Sequence, residues 1–427
     1  MQIALASRAR KVAFLAGCLA ITVAYVGLSV RAFLADHFSQ KLDLASLQLA
    51  ARLEPGNSEY QYRIGQYFLQ TQDSPELAES FLKAAISLNP HNVTYWLALS
   101  RVYQRLANQS AQKGALQHAI AVDPSTPDVA WEAANLYWSM GEADKALQEL
   151  RVVLANDYLL AEALDRCWRI EPDENALLRD VIPAQADVYS EFLEFLMVRK
   201  EPVAAAMVWA KMVQLRQPVE MRHVLAYVQY LIDRREAAAA RQAWQEATVL
   251  CDLRAYQTSP GNLVVNGDFS EPVLNGGFDW RYDKLTDVSL ALDPIESYSG
   301  HRSLTIVFDS RGMEDAGIRQ VVAVEPNTKY EFSAYFKTES LEGAGGPRFL
   351  LQDPYTYSNA IASEELKGSD SWKQVGDVFT TGPQTRLLVL RIQRVPPGDA
   401  IRGKLWIDGV RLTRANPAQN ESAEVGQ

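Results

Sequence analysis

The sequence is poor in the residues that build reactive or cross-linked centres. Its 427 residues include only three cysteines, Cys18, Cys167 and Cys251, too few for a disulfide framework. Five histidines leave little material for a zinc or acid–base centre. There is no P-loop, no His-Glu-x-x-His, no Gly-x-Ser-x-Gly and no Cys-x-x-Cys, and the adjacent Glu364 and Glu365 lack the spacing of a glycosidase pair. Basic charge is also short. Against 52 Asp and Glu stand 42 Lys and Arg, a net charge of -10, which excludes bulk nucleic-acid binding because phosphate recognition needs a basic surface. What remains is 48% hydrophobic and 22% charged, the balance of packed globular structure, in a chain long enough for two to three domains. These totals point to a modular, non-catalytic protein.

One long apolar run stands near the start. Arg8, Arg10 and Lys11 precede nineteen uncharged positions, Val12 to Val30, and the first acid is Asp36. Such a run can cross a bilayer as a helix, and the Lys/Arg excess before it predicts a cytoplasmic N-terminus with everything after it outside. A secretory signal peptide competes, but the run exceeds a usual signal core and no small-x-small site closes it. Leu15-Ala16-Gly17-Cys18 has the form of a lipoprotein acylation signal, yet most of the apolar residues follow Cys18 instead of preceding it; a cysteine within a membrane helix behaves as a small hydrophobe. The expectation is a cytoplasmic segment at 1–11 and an uncleaved single-pass anchor at 12–34 in the inner (cytoplasmic) membrane.

Behind the anchor a phrase recurs. Leu53-Glu54-Pro55-Gly56-Asn57, Leu88-Asn89-Pro90-His91-Asn92 and Val122-Asp123-Pro124-Ser125-Thr126 place prolines 35 and 34 residues apart, a period that marks stacked supersecondary units. Aromatics return at Tyr67, Tyr103 and Tyr137 in the first half of each unit. The second half carries Ala78, Leu82, Ala85, then Gln112, Leu116, Ala119, then Ala146, Leu150, Val153. Three- and four-residue spacing of this kind is amphipathic helix, and each proline stops the second helix. With Ile64-Gly65 and the turn residue Gly141, the segment resembles the tetratricopeptide repeat family. After Tyr158 the pattern decays, and aligning Ala204-Ala205-Ala206 with Ala238-Ala239-Ala240 restores a spacing of 34. Residues 42–250 are therefore read as five to six repeats, with Trp96, Trp131 and Trp138 as inter-repeat core. The resemblance implies an all-α solenoid whose concave face takes a protein or peptide.

After the linker expected at 251–261 the text changes to short alternating or apolar runs broken by glycine, proline and aspartate. Leu263 to Val265, Val288 to Leu292, Ser303 to Phe308, Ile318 to Val324, Lys329 to Thr338, Phe349 to Gln352, Trp372 to Thr380, Arg386 to Arg394 and Lys404 to Leu412 read as strands, predicting an antiparallel all-β jelly-roll sandwich. The phrases Asn262-Leu263-Val264-Val265-Asn266-Gly267-Asp268-Phe269, Ser299-Gly300-His301-Arg302-Ser303-Leu304, Val324-Glu325-Pro326-Asn327-Thr328-Lys329-Tyr330 and Leu405-Trp406-Ile407-Asp408-Gly409-Val410 stand in order. With Trp280 and Trp372, they resemble the carbohydrate-binding modules of families four and nine, in the galactose-binding-like superfamily, over residues 262–414. A polar tail is expected at 415–427.

That resemblance implies glycan binding, although many relatives use the fold only as a structural or protein-contact module. A pyranose stacks its weakly apolar C–H face on an aromatic ring while its hydroxyls find polar partners at the rim. Loop aromatics are the expected contacts: Tyr355 and Tyr357, which share a side if their segment is extended, with Tyr282 and Tyr298. Gln352, Arg391 and Gln393 would supply hydrogen bonds. The resemblance also implies a structural calcium ion, with Asp408 matching the family's aspartate and Asp268 or Glu271 as partner, hard oxygen ligands suiting that ion. Relatives often carry an acid directly after the Asn-Gly-Asp-Phe phrase, whereas in this chain Ser270 stands there and Glu271 comes one later. The overall expectation is a membrane-anchored envelope adaptor that binds protein through the repeats and polysaccharide through the sandwich, possible roles being exopolysaccharide or cell-wall assembly. The alternative keeps the architecture and gives the sandwich no sugar affinity.

Overall fold

The structure, a computed structural model, describes residues 8–415 except 42, 260, 300, 313, 369–370 and 395–398. The expected tail beyond Ala415 and the first seven residues of the expected cytoplasmic segment lie outside the described residues. The chain divides into two compact units, Met1–Pro183 and Ala184–Gln427.

The first unit opens with α1 (Arg8–Ser39), long and apolar enough to cross a membrane, with no side chain buried in its most apolar stretch. After α2 (Leu44–Leu53) come three helical hairpins: α3 (Ser58–Gln70) with α4 (Pro75–Leu88), α5 (Val93–Arg105) with α6 (Gln109–Val122), and α7 (Pro127–Ser139) with α8 (Ala143–Ala155). Local chemistry sets the starts. Asn57, Asn92 and Asn108 each accept a first-turn N–H through the side chain, and Pro75 and Pro127 sit where a missing N–H costs nothing. Gly65 lets α4 approach: a Cβ there would lie 3.0 Å from Leu82. All the apolar positions singled out in the second helices, from Ala78 through Val153, are fully buried.

Two sequence expectations shift here. The repeated aromatic of the first hairpin is Phe68, buried like Tyr103 and Tyr137, while Tyr67 is half-exposed; Phe68 keeps the same 35- and 34-residue steps as the prolines. Trp138 is 39% exposed, so it is not core. The decayed pattern after Tyr158 becomes α9 (Leu160–Ile170) and a short α10 (Glu174–Ala176) that runs into a π-turn, Leu177–Val181.

The second unit begins with two more hairpins, α11 (Ala186–Arg199) with α12 (Pro202–Leu215), and α13 (Met221–Asp233) with α14 (Ala237–Glu246). Their register is 35, not 34. Ala205, Val208 and Trp209 superpose on Ala240, Ala243 and Trp244, all buried, whereas the shorter spacing would set buried Ala204 on exposed Ala238. Alanine runs hide a one-residue slip that the tryptophans resolve.

Ten strands follow among the described residues: β1 (Arg281–Tyr282), β2 (Val288–Asp293), β3 (Ser303–Gly312), β4 (Asp315–Ala323), β5 (Lys329–Gly343), β6 (Pro347–Gln352), β7 (Asn359–Ala362), β8 (Lys373–Thr380), β9 (Leu387–Arg394) and β10 (Ala400–Arg414). They form two five-stranded antiparallel sheets, ordered β1-β4-β9-β6-β7 and β2-β3-β10-β5-β8. Alternate residues such as Phe332, Ala334, Phe336, Leu388, Leu390 and Ile392 fill the space between the sheets. The expected first strand at Leu263–Val265 is absent, because the buried amide of Gln320 takes the place of a neighbouring strand, exchanging hydrogen bonds with both the N–H and the carbonyl of Val265. The Asn-Gly-Asp-Phe phrase is structural. Asn266 grips both backbone groups of Glu271, Trp280 donates to the Asn266 carbonyl, and a Cβ on Gly267 would meet the Val410 carbonyl at 2.1 Å.

The segment expected as a linker is packed. Leu253 and Tyr256 are buried, Trp244 donates to the Tyr256 carbonyl at 2.9 Å, and the Tyr256 hydroxyl reaches the Pro272 carbonyl at 2.8 Å. Trp244 also meets Phe278 edge-on, and Gly277, at φ +60°, lies where any Cβ would strike the Trp244 ring. Gly277→Ala should therefore destabilise this unit by roughly 2 kcal/mol or more, from left-handed strain plus displacement of the indole. Urea denaturation followed by tryptophan fluorescence measures it; an unchanged midpoint would contradict this packing.

Candidate functional site

The outer faces of the two sheets differ. On the β1-β4-β9-β6-β7 sheet, Val321, Leu350, Leu387 and Val389 point away from the interior yet are buried, and α14 packs against β4. The guanidinium of Arg235 lies over the Tyr355 ring, 4.4 Å from its centroid. Beside this closed apolar end runs a row of arginines, Arg281, Arg319 and Arg391, directly opposite one another on three adjacent strands. Like charges so placed repel, and acids answer them. Asp283 binds Arg319, while Asp315 lies 3.7 Å from Arg391 and accepts from the Gln393 amide at 3.3 Å. Arg281 donates to the Gly277 carbonyl, and burial followed by Arg319 pulls its pKa below the ordinary arginine value. A cleft of about 520 Å³ next to this row is lined by Arg319, Arg391 and the acids that hold them.

The opposite outer face is open. Here the loop after β2 carries Tyr298, whose ring stacks on Tyr335 of β5 with centroids 3.6 Å apart and Trp372 at 6.1 Å. A cleft of about 760 Å³ is lined by Tyr298, Tyr335, Gln374, Ser333, Arg411 and Asp268, among others. The loop is pinned at both ends. Asp293 accepts from the N–H groups of Ile295 and Glu296 and from Trp406 Nε1, and Asp408 accepts from the N–H groups of Tyr298 and Ser299 and from the Ser299 hydroxyl.

The seven residues expected to bind sugar do not converge. Tyr298 lines the open cleft, while Arg391 and Gln393 belong to the arginine row, already engaged with Asp315. Tyr282 lines a small apolar pocket at the sheet edge with Leu290, Leu292 and Ile318. The Tyr355 and Tyr357 segment is a turn, not extended, because Asp353 accepts from the N–H groups of Tyr355 and Thr356 and Tyr357 takes φ +56°. Tyr355 is half-buried under Arg235 and Tyr357 is 76% exposed, so the two rings do not form one platform. Gln352 donates to the Tyr357 carbonyl and to Asn359, closing the same turn.

The residues expected to hold calcium do not fit that ion. Asp408 is fully buried, and its oxygens already face N–H and O–H donors, including the Gly409 N–H at 2.6 Å. Asp268 is engaged with the N–H and hydroxyl of Ser270. Among the described residues no group of three or more His, Cys, Asp or Glu is placed to hold a metal. Calcium needs a converging set of oxygens, and here donors occupy that position. Cys167 and Cys251 are free, with burial pushing the Cys167 thiol up to about 12.

Sequence reasoning missed Tyr335 and Gln374 as partners of Tyr298. The β5 alternation showed that Tyr335 shares an outward face with Ser333 and Lys337, but pairing with β8 is a long-range contact without a local signal. It also missed Asp279. This carboxylate is fully buried, and one of its oxygens accepts from the Leu274 N–H at 2.7 Å.

Residues 261–398 match the family model of a carbohydrate binding domain. Among solved structures, the chain is similar to one described as "CBM4 structure and function", at 15% identity and TM-score 0.28, covering 36% of this chain and 99% of that one. It is similar to the CBM22-1 xylan-binding domain of Xyn10C from Paenibacillus barcinonensis, at 15% identity and TM-score 0.26, covering 38% and 100%. It is also similar to MamA, at 19% identity and TM-score 0.23, covering 40% and 85%. No curated protein matches the chain in sequence. The chain combines helical hairpins repeated at 34- to 35-residue steps with a two-sheet sandwich, most of which lies within the stretch that matches a carbohydrate binding domain model.

Burial pushes the Asp279 carboxyl up to about 6 from an ordinary 3.8, against the lowering effect of the Leu274 and Trp280 N–H groups. The folded state thus binds the proton more tightly than the unfolded state, and stability falls as pH rises from 3.8 to about 6. Asp279→Asn should raise the melting temperature at pH 7 and flatten that slope, with little effect at pH 4. Thermal melts of both proteins across this range check it; parallel curves would remove Asp279 as the cause.

Proposed function

We propose that the protein is a membrane-anchored adaptor of a bacterial cell envelope. α1 holds it in the inner membrane with the N-terminus in the cytoplasm and the bulk of the chain periplasmic or extracellular. The helical hairpins bind a protein or peptide, and the sandwich binds glycan. The observation that carries the glycan half is the match of residues 261–398 to a carbohydrate binding domain. The role is one of binding, in exopolysaccharide or cell-wall assembly. A second reading, a sandwich that serves as a structural or protein-contact module, is favoured by the burial of Val321, Leu350, Leu387 and Val389 beside α14, which removes part of one sheet face from ligand access.

Two measurements test this. The full-length chain, held in a non-glycosidic detergent, should retain defined oligosaccharides on a glycan array; a blank array would leave the second reading. Alkaline phosphatase fused after Tyr60 should be active and β-galactosidase at the same point inactive, since the first folds only outside the cytoplasm; the reverse pattern would overturn the N-in topology.

A further inference from the structure

We propose that the open cleft beside Tyr298 is the sugar-binding site of the sandwich and that it takes an uncharged pyranose on the wall formed by Tyr298 and Tyr335. This rests on the glycan reading above and adds the place and the class of sugar.

The first support is an exposed aromatic on an immobilised loop. Tyr298 remains 48% exposed although Tyr335 covers one of its faces at 3.6 Å. Loops carry such rings at little cost when they can fold away, but this one is fixed by Asp293 at one end and by Asp408 at the other. A half-exposed ring held in place by a buried carboxylate is preorganised for contact, so binding has no loop to order. The ring supplies what a pyranose needs on its C–H face, large area and little conformational freedom.

The second support is the rim. Gln374 stands directly opposite Tyr335 in the β5–β8 register and is exposed, offering both a donor and an acceptor. Ser333 on the same face adds a hydroxyl, and Asp268 and Arg411 add one charge of each sign. The lining is therefore neutral overall and rich in paired donors and acceptors, the complement of hydroxyls and not of carboxylates or phosphates. Its volume, about 760 Å³, lies within the usual range for ligand sites.

The third support is exclusion of the other sites. The arginine-row cleft has no aromatic ring in its lining, and there Asp283 binds Arg319 and Asp315 lies 3.7 Å from Arg391. At the Tyr355 turn one ring is covered by Arg235. Neither offers an aromatic face with a free polar rim.

The experiment is titration calorimetry of the full-length chain in a polyoxyethylene detergent against three probes, cellohexaose, xylohexaose and hexagalacturonate. At least one of the two uncharged hexasaccharides should bind and the charged one should not. Tyr298→Ala and Tyr335→Ala should each weaken binding by about ten-fold, and Gln374→Ala, at an exposed position that folding does not need, by roughly three- to ten-fold. Tyr357→Ala should leave affinity unchanged. Wild-type affinity in the Tyr298, Tyr335 and Gln374 variants would overturn the site while the glycan reading stands, and tighter binding of hexagalacturonate would overturn the class. If none of the three probes binds, the proposal fails; an array that is also blank removes the glycan reading with it, and an array that retains other sugars does not.

Discussion

A single buried carboxylate organises the open face of the sandwich. Asp408 is removed from water completely, which for an ionised group is tolerable only when hydrogen bonds replace hydration. The N–H groups of Tyr298, Ser299 and Gly409 and the Ser299 hydroxyl provide that replacement, and bonds to an ionised acceptor are stronger than neutral ones. Because the Tyr298 and Ser299 donors belong to the loop after β2, satisfying the charge and placing the loop are one event. The Tyr298–Tyr335 stack, and with it one wall of the 760 Å³ cleft, follows from the needs of an acid on β10 more than a hundred residues away in sequence.

The closed face has a different origin. Trp244 sits at the end of the last hairpin, donates to the Tyr256 carbonyl and occupies the space that Gly277 leaves free. The chain between helices and sandwich is thereby folded onto both, and Leu225 reaches Gly276 of the same loop. With the apolar end of the β1-β4-β9-β6-β7 face buried and Arg319 and Arg391 paired with Asp283 and Asp315, much of that side serves to hold the unit together. In the function proposed above, structural and binding tasks fall to different sheets, so the two readings of the sandwich are not exclusive.

The fold was legible because its signals are local and periodic. The proline phrases, the small residues at Ala78 and Ala146 and the alternation of Tyr330, Phe332, Ala334 and Phe336 each repeat at the period of the element they build. Errors arose where composition is uniform or pairing is remote. The alanine runs after Val203 and Glu236 look alike at 34 or 35 residues, and only Trp209 and Trp244 fix the register. Leu263–Val265 has strand-like residues, but a side-chain amide, invisible to any periodicity, supplies its partner. The site was less legible for the same reason. Tyr355 and Tyr357 have the spacing of a platform on a strand, yet Asp353 turns the chain there. Tyr298 was found as a loop aromatic, whereas Tyr335 and Gln374 join it only through the β5–β8 register.

The central claim is that the open face, organised by Asp408, receives an uncharged sugar. Crystals of the full-length chain soaked with cellohexaose or xylohexaose test it most directly. The account predicts difference density for a pyranose ring stacked on Tyr298, with hydroxyls near Gln374, and no movement of the loop between Asp293 and Ser299. Density in the cleft of Arg319 and Arg391, or against Tyr357, with the Tyr298 cleft empty, would contradict it.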